Sequence, residues 1–269
     1  MKPMFFFSIF LLIIGCTSKN DNEEFFFNGH WVDLSYSFSD STLYWPNNAT
    51  GFKLDTQVNG ITAGGFYYSS NTFSAPEHGG THLDAPVHFA KGKLSVDELP
   101  LESLTCNAVV IDVSQRALKN ADYLISVKDV QDWEKKNDII EPGTIVLFRT
   151  GYGQYYPSAK KYFGTDMKGT QAIAFLHFPG IDPVTAEWLA TQRKIKAVGL
   201  DTPSIDYGQS KDFKTHQVLY AENIPGFENL AQLDILPIKG AYIIALPMKI
   251  KDGTGGPLRI VAWVGKEKS

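Results

Sequence analysis

One stretch, Glu77 to Phe89 (EHGGTHLDAPVHF), restricts the folds open to this chain more than any other. Three of the chain's six histidines, with an aspartate among them, fall between His78 and His88. A helix would join His78 and His82 at i, i+4 but would carry Asp84 off that face, and Gly79, Gly80 and Pro86 all disfavour helix. In an extended segment side chains alternate, and His78, His82, Asp84 and His88 share one parity. The stretch is therefore expected to be extended or looped, with two imidazoles and a carboxylate offered to a single centre. Such a set suits divalent Zn, Mn or Fe, with positions left open for water or substrate. The chain has only Cys16 and Cys106, too few for a closed, cysteine-rich structural zinc site. Three unrelated surface or core histidines are the alternative, and the interleaved aspartate tells against it.

The flanking sequence predicts a scaffold in which strands outnumber helices. WVDLSYSF alternates apolar and polar residues as a half-buried strand does, and NAVVIDVS and GTIVLFRTGY are short apolar runs edged by turn residues. Between those two runs, SVKDVQDWEKKN has helical spacing with Ser126 as its cap. DPVTAEWLATQRK is a second helix, capped by Asp182 with Pro183 at the first position. IKAVGLDTPSID reads as a buried strand ending in a polar loop, DFKTHQVLYAEN as a helix, and AYIIALPMKI and LRIVAWV as closing strands. The sum is a mixed α/β domain over residues 25–269. Cys106 reads as a buried small hydrophobe, and the aromatic runs near Phe25 and Phe66 as core or interface.

The N-terminus is a targeting segment. Met4 to Ile14 is apolar, too short for a permanent span, and follows a single lysine, as in a secretory signal. The ending IIGC resembles a lipobox, which makes residues 1–15 a signal peptide and Cys16 a lipidated first mature residue. The polar segment 16–24 then tethers the domain to a membrane, in an exported bacterial lipoprotein facing the periplasm or the cell surface. A net charge of −4 and the absence of a basic patch argue against nucleic acid. No GxGxxG follows a strand and no GxxxxGK[ST] occurs, so a nucleotide fold has no support.

HGGTHLDAPVHF resembles the HxGTHxDxPxH signature of the cyclase family, which includes kynurenine formamidases and isatin hydrolases, at every fixed position. GTIVLFRTGY, FPGIDPVTAEWLA, VGLDTPSID, HQVLYAENIPGFENL and GGPLRIVAWV extend the resemblance over nearly the whole mature chain. It implies a swivelling β/β/α fold with a mixed, open barrel-like sheet. It implies His78, His82 and Asp84 as first metal ligands, His216 and Glu228 as the pair that completes a two-metal centre, and His88 as catalytic acid/base. Trp45 resembles an aromatic substrate contact and Ser204 a serine near the site. Glu222 competes with Glu228 and reads as a solvated surface residue, while His30 and His177 read as structural.

The expected activity is hydrolysis of a C–N bond in a small aryl formamide or cyclic amide. It would use metal-activated hydroxide, one or two Zn or Mn ions per subunit, and His88 as general acid/base. Export argues against N-formylkynurenine, which is made in the cytoplasm. Lactone hydrolysis or polyketide-type cyclisation on the same site is the rival enzyme reading, and a non-catalytic surface lipoprotein that binds metal or a solute is the rival from another class. Assembly as a homo-oligomer is implied by the family alone.

Overall fold

The structure, a computed structural model, describes residues 28–266. The signal peptide expected at 1–15, the lipidation of Cys16, the tether to residue 24 and the aromatic run at Phe25 lie outside the described residues. In chain order the strands are β1 (Gly29–Asp33), β2 (Lys53–Ile61), β3 (Tyr67–Ser74), β4 (His82–Asp84), β5 (Thr105–Asp112), β6 (Leu124–Ile125), β7 (Ile145–Arg149), β8 (Gly180–Ile181), β9 (Ala197–Leu200), β10 (Gly226–Glu228), β11 (Lys239–Pro247) and β12 (Gly255–Gly265). The helices that matter here are α1 (Val127–Asn137), α2 (Pro183–Trp188) and α3 (Lys214–Ala221).

Eight strands form one mixed sheet in the order β1-β12-β11-β5-β7-β9-β10-β4. Its centre, β5-β7-β9-β10, is parallel, and the flanks are antiparallel. The sheet curls until β4 pairs with both β10 and β12, which partly closes it as a barrel. One edge of β12 serves two partners: Gly255–Pro257 pairs with β4, and Val261–Gly265 pairs with β1.

Period-two alternation sorts the core into two sides. Ala108, Val110, Ile145, Leu147 and Ala197 join Leu83, Phe227 and Ile243 in one cluster. Their neighbours Val109, Ile111, Val146, Phe148, Val198 and Leu200 pack instead under the helices, against Val130, Trp133, Leu189 and Leu219. Strands buried on both faces explain why NAVVIDVS and GTIVLFRTGY are continuously apolar. Ser126 caps α1 in a reciprocal capping box with Asp129, and Asp182 caps α2 through the Val184 N–H.

Three local expectations need correction. Cys106 is half-buried, because it sits near the start of β5 where the strand is still partly open to solvent. β2 and β3 pair only with each other, so Phe66 and Tyr67 are solvent-exposed rather than core. Stacking of Phe52 on Phe73 and contact of Phe52 with Phe38 fasten the base of this hairpin. Finally, the extended stretch ends at Asp84; Pro86 opens a single 3-10 turn, Pro86–His88, so His88 reaches its position by a turn and not by strand parity. Proline suits the first position of such a turn, where its missing N–H has no bond to lose.

Candidate metal centre and active site

Fold closure brings the histidines to the acidic residues. His82 and Asp84 lie on β4, and the β10 register sets His82 opposite Glu228. His216, on α3, is buried, as are His82, Asp84 and Glu228. His78 enters from the loop before β4, where Gly79 has φ 146° and Gly80 φ 57°. A Cβ on Gly79 would lie 2.1 Å from the Tyr44 ring, and one on Gly255 would lie 2.6 Å from His78, so both close approaches need glycine.

Two ligand sets share one carboxylate. Side-chain donor atoms of His78, His82 and Asp84 lie within 4.8 Å of one another, and so do those of Asp84, His216 and Glu228. Asp84 turns Oδ1 to His78 Nδ1 at 2.6 Å and His82 Nε2 at 3.0 Å, and Oδ2 to His216 Nε2 at 3.4 Å. Glu228 turns Oε2 to His82 Nε2 and Oε1 to His216 Nε2, each at 3.4 Å.

The second nitrogen of each ring fixes what the first can offer. His82 Nδ1 donates to the Gly80 carbonyl at 3.0 Å, and His216 Nδ1 to Asp206 Oδ2 at 2.5 Å. His78 Nε2 donates to Thr254 Oγ1 at 2.8 Å, and that hydroxyl donates to Glu77. The remaining nitrogens, His78 Nδ1 and the Nε2 atoms of His82 and His216, then aim lone pairs at carboxylate oxygens. Lone pair against lone pair at these distances is repulsive unless a proton or a cation lies between them. The donor set of three imidazoles and two carboxylates fits divalent cations, and the outer hydrogen bonds are those that orient metal-binding histidines.

Proton affinities of the metal-free site say the same. Burial pushes His82 down, but the Asp84 and Glu228 carboxylates pull it up to about 9. His216 is likewise held well above the ordinary histidine value, against its burial, by Asp206, Asp84 and Glu228. Asp84, although buried, is held well below the usual carboxylate range by the histidines around it. Glu228 is pushed up by burial and by the Asp84 charge. The Tyr220 hydroxyl, kept protonated by burial and nearby carboxylates, donates to Asp84 Oδ2 at 3.0 Å.

His88 differs from these residues. Its ring stacks on His78 with centroids 3.8 Å apart and belongs to neither ligand set. Burial lowers it to about 4, so it is neutral near pH 7.

A cavity of about 250 Å³ opens over this cluster, lined by His78, His82, Asp84, His88, His216 and Glu228. Its apolar wall includes Leu43, Trp45, Phe89, Phe163 and Phe213, and Trp45 meets Phe163 and Phe178 edge-on. Both Trp45 and the buried Ser204 line the cavity. Glu222 is exposed at the end of α3, and His30 is exposed on β1. His177 pairs with Asp122 on the surface and does not line the cavity. Sequence reasoning missed Asp206, Tyr220 and Thr254, and only Asp206 carried a signal, as an acidic residue at the end of a buried strand segment.

Ligand sets of this composition beneath a small apolar cavity, in a partly closed mixed α/β sheet, define a metal-dependent hydrolase. The model of the family described as "Putative cyclase" matches residues 32–207, and the chain belongs to the cyclase family. It is 33% identical to isatin hydrolase of Roseibium aggregatum over 75% of this chain and 77% of the relative. It is 29% identical to kynurenine formamidase of Salinibacter ruber over 86% of this chain and 95% of the relative. Among solved structures, isatin hydrolase A from Ralstonia solanacearum superposes with a TM-score of 0.78 at 34% identity, covering 87% of this chain and 92% of that one. An isatin hydrolase bound to the product analogue thioisatinate gives a TM-score of 0.79 at 29% identity, covering 89% and 94%.

Proposed function

We propose that this chain hydrolyses the carbon–nitrogen bond of a small aryl formamide or cyclic amide. The observation that carries the reading is the juxtaposition of two ligand sets with a neutral, non-ligand histidine at the floor of one small aromatic-walled cavity. His78, His82, Asp84, His216 and Glu228 would hold one or two zinc or manganese ions. Such a cation, when bound, supplies a nucleophile at neutral pH and a Lewis acid for the carbonyl oxygen.

The remaining work falls to the chain's own side chains. Trp45, Phe89, Phe163 and Phe213 bury the aryl or ring portion of the substrate and exclude water around it. His88, being neutral, accepts a proton as water's oxygen bonds to the carbonyl carbon, and returns it to the nitrogen as the carbon–nitrogen bond breaks. The products are a carboxylate and an amine, joined in one molecule when the substrate is a ring. Isatin and formamide hydrolysis by the named relatives support this chemistry without fixing the substrate.

The chain is further proposed to act outside the cytoplasm, anchored through Cys16, a reading supported by the apolar run that ends in Gly15-Cys16. Among the described residues no helix is long and apolar enough to cross a membrane. Assembly with further copies is supported by the exposed Leu54, Ile61, Phe66, Tyr67 and Phe73 of the β2–β3 hairpin. The decisive experiment is metal analysis of the purified domain followed by a hydrolysis screen of N-formylkynurenine, isatin and simple cyclic amides. Bound divalent metal and turnover of at least one amide are expected. A metal-free, inactive protein after reconstitution with zinc and with manganese refutes the reading.

A further inference from the structure

Phe213 stands where a helix normally begins with another kind of residue. It immediately precedes α3 and takes φ 52° and ψ 45°, in the left-handed region. A bulky aromatic is a genuine outlier there, since glycine and asparagine are the residues that tolerate it. Phenylalanine is no cap either. Helix starts favour serine, threonine, aspartate or asparagine, whose oxygens accept the first free N–H groups. Asp206 fills that role from outside the helix: its carboxylate accepts from the Thr215 N–H at 3.2 Å and the His216 N–H at 3.1 Å. The start of α3 therefore asks nothing of the side chain at position 213.

The strained backbone is held from both sides. The Phe213 N–H donates to Ser210 Oγ at 3.1 Å, and that hydroxyl donates to Asp206 Oδ1 at 3.0 Å. The Phe213 carbonyl accepts from the Gln217 N–H at 3.1 Å. Strain that is over-determined in this way marks a functional position. What it secures here is the place of the ring. Phe213 lines the cavity, and its ring centroid lies 6.2 Å from that of Trp45, 5.2 Å from that of Phe89 and 5.9 Å from that of His216. Those three residues line the cavity too, so one ring joins the loop of Trp45, the turn after His88 and a ligand of the second set.

We propose that Phe213 sets specificity: its ring, fixed in advance by the strained backbone, selects substrates whose amide carries an aromatic ring over those carrying a saturated ring of the same carbon count. The assignment rests on the amidohydrolase reading. Both kinds of ring bury apolar surface, but only an aromatic one adds the offset-stacked or edge-to-face pairing that a wall of rings offers. A wall already in place has little freedom left to lose when the substrate docks.

The probes are formanilide and N-cyclohexylformamide, assayed with metal-loaded wild type, Phe213→Gly and Phe213→Leu. Glycine accepts the left-handed φ without strain. Leucine keeps apolar packing and decides the matter if the glycine variant does not fold. In each variant the ratio of kcat/KM for formanilide to that for N-cyclohexylformamide is expected to fall by about 2- to 12-fold. The loss on formanilide should lie in KM, with metal affinity by chelator competition within about twofold of wild type. An unchanged ratio, or a loss carried by kcat together with weakened metal binding, shows that Phe213 only supports α3 and overturns the assignment while the hydrolase reading stands. No turnover of formanilide by the metal-loaded wild type overturns both.

Discussion

Asp206→Asn tests whether the buried hydrogen bond behind His216 sets metal affinity. Asp206 Oδ2 accepts from His216 Nδ1 at 2.5 Å and from the His216 N–H at 3.1 Å, while Oδ1 accepts from the Thr215 N–H and the Ser210 hydroxyl. An asparagine offers one acceptor oxygen where the aspartate offers two, and its amide nitrogen meets donors on either side. The His216 ring then either loses its partner or moves its proton to Nε2, the atom that faces Asp84 and Glu228. A hydrogen bond to a charged group contributes about 1.5–3 kcal/mol, which corresponds to roughly 10- to 150-fold in affinity. That range overlaps the 10- to 100-fold cost typical of losing an outer partner of a metal-binding histidine. The assay is chelator competition near neutral pH on the full folded domain, with melting temperature of the metal-free protein recorded alongside. Asp112→Asn is the control, since Asp112 is a partly exposed partner of Arg149 that belongs to neither ligand set and does not line the cavity. Affinity of Asp206→Asn within about twofold of wild type would refute the argument.

Three further outcomes are expected. His88→Ala keeps full metal content and loses about 100-fold or more in kcat, as removal of a general acid/base does; full activity at saturating metal rules the shuttle out. Because burial holds His88 near 4, the acid limb of kcat/KM assigned to it lies well below the ordinary histidine value of 6.5; a limb at 6.5 that disappears in the variant contradicts this. The metal-free protein loses stability as pH rises. His82 binds its proton more tightly folded, with a pKa of about 9, than unfolded, so that contribution is complete below about 6.5 and gone once pH passes the folded value. The loss approaches about 3 kcal/mol, and denaturant midpoints of chelator-treated protein should fall across that window. Metal-loaded protein should show no such fall, because the cation replaces the protons.

How much of this was legible in the sequence follows from how local each signal is. The His78–His88 cluster is dense, and its glycines and Pro86 dictate the backbone, so the motif declared a site before any fold was known. The buried strands β5 and β7 were readable because both faces are covered, which leaves no polar interruption. His88 shares the strand parity of His78, His82 and Asp84, but the turn begun by Pro86 overrides that pattern. Asp206, Tyr220 and Thr254 were invisible as site residues. Each acts only through a tertiary contact, with His216, Asp84 and His78 respectively, and apart from the position of Asp206 at the end of a buried strand segment nothing local marks them. The aromatics near Phe66 were read as core or interface from their composition, and the core half of that reading fails because β2 and β3 pair only with each other and leave Phe66 and Tyr67 exposed.

The double pairing of β4 reaches beyond architecture. Its three residues are hydrogen-bonded to β10 on one side and β12 on the other, and two of them belong to the ligand sets. Ions held there would act as a clasp on the β10 side of the barrel's seam, joining the early segment to His216 of α3 and Glu228 of β10. A slip of one residue in that seam would turn His82 and Asp84 away together. Cation release would then require the seam to breathe, so the off-rate of the metal and the slowest amide exchange in β4 should rise and fall together across variants.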